Sequence, residues 1–183
     1  MKTPIAGVYY ACGEHKQSDV PQAWEKQTMN LEPEFLTGEE KCLVALSGRF
    51  TPATRTDIPA MWHDFWSQNW QFQGYEEQAA YGVSYDVQPD GTFNYAIGRN
   101  IDPVPDSLPD KACTVVLSAG RYAVFRQHGP VTELPTLFDA IFSQWLPESG
   151  VFQREGAVFE RYPYDDNASP ESMKYEIWVP VTD

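Results

Sequence analysis

Two stretches of the chain carry the same apolar pattern. Ile58, Met61, Trp62, Phe65, Trp66 and Trp70 recur at helical spacing and form one wide stripe. Leu134, Leu137, Phe138, Ile141, Phe142 and Trp145 repeat it. Ile58–Trp66 maps onto Leu134–Phe142 at a constant offset of 76 (58 to 134), and Gly74 and Gly150 keep that offset. Pro59 and Pro135 stand in the first turns, where a missing N–H is no loss. Thr56 and Asp57 offer N-cap oxygens to the first helix, and Thr132 to the second. Gly74 is the expected stop of the first helix, Pro147 and Gly150 of the second.

Strand patterns surround each stripe. Lys41–Phe50 is apolar on both alternating faces, as a well-covered strand would be. Ala79–Val87 and Thr92–Gly98 follow the first helix, joined by the turn Pro89-Asp90-Gly91. The second copy opens with Ala112–Gln127, broken or bulged at Ala119-Gly120, and closes with Val151–Tyr162 and Met173–Val181. The pattern predicts an α+β fold of duplicated β-α-β-β units with pseudo-twofold symmetry. The constant offset predicts both helices on the same side of one antiparallel sheet, and paired halves commonly leave a ligand-sized cleft between them. Residues 1–38 read as an irregular N-terminal extension, with a short strand at Ile5–Ala11 and a helical turn at Pro21–Gln27. Residues 39–183 read as one domain: repeat one over about 40–99, a proline-bearing linker over 100–111, and repeat two over 112–182.

Charge narrows the function classes. Thirteen basic residues stand against 26 acidic ones, for a net charge of −13. Lys and Arg are scattered singly, so no phosphate-gripping patch is visible and direct nucleic-acid binding is not expected. No run approaches the roughly 20 apolar residues of a membrane span. The start of the chain lacks the apolar core of a signal peptide. Cys12, Cys42 and Cys113 are widely spaced and read as thiols of a reducing cytoplasm. His15, His63 and His128 show no metal spacing. Neither a metal nor a cofactor is expected.

Several ordered blocks are more specific. They are Gly120-Arg121-Tyr122-Ala123-Val124-Phe125, His128-Gly129-Pro130, Trp145-Leu146-Pro147-Glu148-Ser149-Gly150, Phe159-Glu160-Arg161-Tyr162 and Tyr175-Glu176-Ile177-Trp178-Val179-Pro180-Val181. Together with Leu46–Pro52 and Ile58-Pro59…Trp62, they resemble the GyrI-like effector-binding family over roughly residues 40–182. That family includes the small-molecule-binding domains of AraC-type and MerR-type transcription regulators, and stand-alone gyrase-inhibitory proteins. The resemblance implies an antiparallel sheet packed by two helices with a central ligand pocket near the pseudo-twofold axis, and binding of hydrophobic, often cationic compounds, with an acidic residue in an aromatic pocket. It also implies that some members hydrolyse cyclopropane-containing toxins with a glutamate. No DNA-binding module is legible here, which favours a stand-alone member.

Candidate site residues follow. Glu176 stands inside the apolar run Tyr-Glu-Ile-Trp-Val-Pro-Val. A buried unpaired carboxylate costs several kcal/mol. Either Glu176 awaits a cation with its pKa raised, or it is solvated, or it is paired with Arg121 or Arg161. Glu160 is the second carboxylate. The two lie on expected hairpin partners and could share one site. Glu160 and Glu176 roughly align with Gly82 and Asn94 of the first half. Tyr81, Tyr85, Tyr95, Trp145 and Trp178 are the aromatic candidates for stacking on a flat cation. Trp62, Phe65, Trp66, Phe138 and Phe142 read as core.

The expected function is therefore a cytoplasmic protein, monomeric or weakly dimeric, that sequesters or senses small hydrophobic cations. The alternatives are a hydrolase of strained electrophiles working through Glu176, and a protein inhibitor with gyrase as partner.

Overall fold

The computed structural model describes residues 31–72 and 79–182. The expected strand at Ile5–Ala11 and the turn at Pro21–Gln27 lie outside the described residues, and the first helix ends at Ser67, before the stop expected at Gly74. Among the described residues, eight strands form one sheet: β1 (Glu34–Gly38), β2 (Lys41–Phe50), β3 (Ala79–Tyr85), β4 (Phe93–Asn100), β5 (Ala112–Leu117), β6 (Gly120–Gly129), β7 (Val158–Pro163) and β8 (Met173–Pro180). Helix α1 spans Ile58–Ser67. The second helix is α2 (Leu134–Ala140), continued by a π turn at Ile141–Trp145 and a last turn, α3, at Leu146–Glu148.

The strand order is β1-β6-β8-β7-β3-β4-β2-β5, and the paired neighbours are antiparallel. It reads the same from either end when the halves are exchanged. The pseudo-twofold axis therefore passes between β3 and β7, where Gly82 pairs with Glu160.

The repeat holds one more strand than the sequence pattern suggests. Ala112–Gln127 is two strands, and Glu34–Gly38, expected to be irregular, is the matching extra strand of the first half. Neither extra strand pairs with the strand that follows it. Instead β1 pairs with β6, and β5 with β2, so the halves exchange their first strands.

This exchange forces curvature. Six strand spacings separate β5 from β6 in the order, roughly 29 Å across a flat sheet. Their link is only Ser118 and Ala119, which spans at most about 11 Å. The sheet therefore curls until its sides meet. Side chains of β5 (Val115, Leu117) and β6 (Tyr122, Val124) share one cluster with Leu43, Ala45, Tyr81, Val83 and Phe159 on the concave face. Arg154 fastens the junction. Its Nη1 donates to Ser118 Oγ at 3.0 Å, its Nη2 to the Ala119 carbonyl at 3.3 Å, and its guanidinium lies 4.8 Å over the Tyr122 ring.

Both helices cover the opposite face. Met61, Trp62 and Phe65 of α1 and Leu137 of α2 share a core with Ile97, Phe125, Ile177 and Val179. Asp57 takes its expected cap position, whereas Glu133 stands at the second helix's cap in place of Thr132. Asp57 and Glu133 occupy the N-cap positions without side-chain hydrogen bonds, because a 3-10 turn leads into each helix with its backbone already helical. Strand β7 begins at Val158 rather than Val151. Among the described residues, no helix is long and apolar enough to cross a membrane.

Candidate functional site

Period-2 alternation and register fix which side chains share a face. On the helix-covered face one row runs Leu46–Ile97–Gly82–Glu160–Ile177–Phe125 across six strands. Glu160 is thus a carboxylate in the middle of an apolar row. It is 5% exposed. Such a group requires hydrogen-bond partners.

Two tyrosines supply them. Tyr95 of β4 and Tyr162 of β7 each donate a hydroxyl to Glu160 Oε2 at 2.8 Å. Tyr162 stands two residues from Glu160 on the same strand, so it shares its face. Trp62 of α1 donates its indole N–H to the Tyr95 hydroxyl at 3.3 Å. Its ring meets Tyr162 edge-on at 5.1 Å. Tyr175 of β8 lies beyond, with its ring 6.4 Å from that of Tyr162. Among the described residues, no Lys, Arg or His side chain bonds or ion-pairs with Glu160. Burial pushes its pKa up to about 7, against the opposing pull of the two hydroxyl bonds. Tyr175 is likewise pushed up to about 12 by burial, with the Glu133 charge adding to it.

Gly82 makes the arrangement sterically possible. A Cβ at that position would stand 2.1 Å from the Tyr95 hydroxyl and 2.5 Å from Glu160 Oε2. On the axis, one half contributes the carboxylate and the other contributes the space for it.

Glu176 has a different setting. Its row is Ala45–Gly98–Tyr81–Arg161–Glu176–Arg126, on the concave face. The carboxylate is buried, with its side chain 11% exposed, and three donors of its own chain converge on it. Arg126 Nε lies at 3.1 Å, Arg161 Nη1 at 3.3 Å and Trp178 Nε1 at 2.8 Å. Arg126 also bridges to Glu34. Arg121 points elsewhere, with its guanidinium 4.5 Å over the Phe35 ring.

The expectation that Glu160 and Glu176 share one site is therefore corrected. Glu160 pairs with Ile177, so Glu176, one residue away, points through the sheet to the other side.

The aromatic candidates divide in the same way. Tyr95 joins Glu160. Trp145 lies on the helix side but against Phe125 and Phe35, at 4.9 and 6.4 Å. Trp178 and Tyr81 pack against Phe159 on the concave face, and Tyr85 bonds Ser47 there at 2.7 Å. Sequence reasoning left out Tyr162, Tyr175 and the functional side of Trp62. The i, i+2 relation of Glu160 and Tyr162 was the signal available for the first. Trp62 was indistinguishable from the other residues of its helical stripe.

The family profile described as "GyrI-like small molecule binding domain" matches residues 31–182. The chain belongs to this family. It is 27% identical over 142 residues to the transcriptional regulator BrlR of Pseudomonas aeruginosa, covering 72% of this chain and 49% of that protein. It is 33% identical over 67 residues to a DNA gyrase inhibitor of Erwinia billingiae, covering 37% of this chain and 43% of that protein. The chain thus spans about half the length, or less, of these relatives. Among solved structures it is similar to SAV2435 bound to tetraphenylphosphonium, with a TM-score of 0.67 and 19% identity over 83% of this chain and 94% of that one. At that identity the likeness concerns the fold.

Proposed function

We propose that this GyrI-like domain binds hydrophobic cations at Glu160, on the helix-covered face of the sheet. The observation that carries the reading is a deeply buried carboxylate with hydroxyl partners and, among the described residues, no counter-cation. A cation placed against it would recover Coulombic energy in a low-dielectric setting. The rings of Trp62, Tyr95, Tyr162 and Tyr175 offer the π faces that bind delocalised positive charge. SAV2435, a fold relative, was solved with a ligand of this chemistry. Glu176 does not suit the role, because two arginines already match its charge.

At 5% exposure, a ligand reaches Glu160 by displacing aromatic side chains around it. The net charge of −13 suits a binder of cations better than a direct DNA contact by this domain.

The test is a titration of tetraphenylphosphonium into wild type and Glu160→Gln. The expected result is at least about tenfold weaker binding for the variant, as for a buried ion pair that loses one partner. Equal affinities would overturn the reading.

A second reading rests on the same carboxyl. Near neutral pH it is partly protonated, so it could deliver a proton to a strained electrophile as general acid. Turnover of a cyclopropane-containing alkylating agent, lost in Glu160→Gln, would favour an enzyme over a binder. A supercoiling assay tests the remaining alternative, gyrase as a protein partner.

A further inference from the structure

We infer that cation uptake is an exchange at Glu160: the ligand's charge enters as the carboxyl proton leaves. This rests on the reading of Glu160 as the ligand's counter-charge.

The geometry carries the inference. The row through Glu160 is apolar on both sides, Ile97–Gly82 and Ile177–Phe125. The next residue along the strand, Arg161, points to the opposite face and pairs with Glu176. The carboxyl's bonds come from hydroxyls, which accommodate either protonation form. With Tyr95 and Glu160 already in the space a Gly82 Cβ would take, little room remains there for a small counter-ion. An isolated buried anion then costs several kcal/mol, and such a group holds its proton instead.

The step balances simply. The carboxyl O–H bond breaks, its electron pair stays on the oxygen, and the proton passes to bulk water as the cation arrives. A permanently charged ligand must expel that proton. An amine that is neutral in solution takes up the carboxyl proton in place, with no net release, whereas an amine already protonated in solution releases one proton, as a permanent cation does. The two ligand classes therefore differ in pH profile only above the amine's own pKa.

Other titratable groups face this region. Tyr95, Tyr162 and Tyr175 line it, and Glu133 lies beside Tyr175. His63 of α1 is exposed, and His128 bonds Ser172 on the far side of β6. Histidines are the groups that ordinarily titrate near neutrality, so His63→Gln is the control.

The experiment is calorimetric titration of tetraphenylphosphonium in buffers of different ionisation enthalpy, at about pH 6 and about pH 8.5. Release close to one proton is expected at the lower pH and almost none at the higher. Affinity should rise up to about tenfold per pH unit below pH 7 and then level off. His63→Gln should behave as wild type. Heats at low pH that do not depend on the buffer would overturn the exchange, even where Glu160→Gln still weakens binding. If Glu160→Gln binds as wild type does, the underlying site reading fails as well.

Should Glu160→Gln not fold, difference infrared spectroscopy on wild type decides. Ligand addition must remove a protonated-carboxyl band. An unchanged band overturns the proposal.

Discussion

Gly82 and Glu160 face each other across the central strand pair, and a Cβ on Gly82 would lie 2.5 Å from the Glu160 carboxylate. The same atom would lie 2.1 Å from the Tyr95 hydroxyl. Gly82→Ala must therefore push both groups aside. We expect a destabilisation of about 1–3 kcal/mol, the usual cost of overpacking, together with loss of cation binding. Urea unfolding and ligand titration of one preparation check both. Unchanged binding by a stable Gly82→Ala would show that the Tyr95–Glu160 bond is dispensable.

The stability of the protein should fall as pH rises through the neutral range. Glu160 has its ordinary value near 4.5 unfolded and about 7 folded. Between those values the folded state binds more protons than the unfolded state. Its contribution is therefore fully present below the unfolded value and is lost as pH rises through the folded one. The difference is on the order of 3 kcal/mol. Glu160→Gln should flatten this dependence and be the more stable protein at about pH 8.5. Denaturant melts of both proteins across pH 5 to 8.5 measure it, and parallel curves would contradict the assignment.

The tyrosine hydroxyls act against burial. Each bond to Oε2 lowers the Glu160 pKa, so Tyr95→Phe and Tyr162→Phe should each raise it further. Affinity for a permanent cation at pH 7 then falls, and recovers at higher pH. An affinity loss that is equal at every pH would indicate that the hydroxyl acts on the ligand directly and not through the carboxyl's proton.

Glu176→Gln should affect folding and spare the ligand. The substitution leaves Arg126 and Arg161 without their shared carboxylate. Arg126 is 54% exposed and water recovers part of the loss, so about 1–2 kcal/mol is expected rather than the full cost of breaking a buried pair. Tetraphenylphosphonium affinity should change less than about twofold. A tenfold loss would return the site to the concave face.

Arg154→Ala should loosen the curl of the sheet. It removes the bonds to Ser118 and Ala119 and the cation–π contact with Tyr122. Amide exchange should speed up in β5 and β6 before it does in β3 and β4, whose pairing is remote from the junction. Uniform protection across all four strands would argue against this latch.

The sequence by itself determined the local elements and the duplication. The stripes that begin at Ile58 and Leu134 carry the period of an amphipathic helix, although the first helix ends at Ser67, before Trp70, and the second passes through a π turn at Ile141–Trp145. Glu160 stood out against Gly82 because the two repeats could be laid side by side. What remained open was everything set by partners distant in the chain. Within one strand, alternation says that Glu176 and Trp178 share a face, and that Tyr175 and Ile177 share the other. It does not say which face the helices cover. That was decided by the pairing of Glu160 with Ile177, a one-residue matter that sends Glu176 to the arginines and Glu160 to the tyrosines. The exchange of β1 and β5 between the halves was hidden for the same reason. A short edge strand such as Glu34–Gly38 has little pattern of its own, and it becomes a strand because β6 offers it a row of backbone partners.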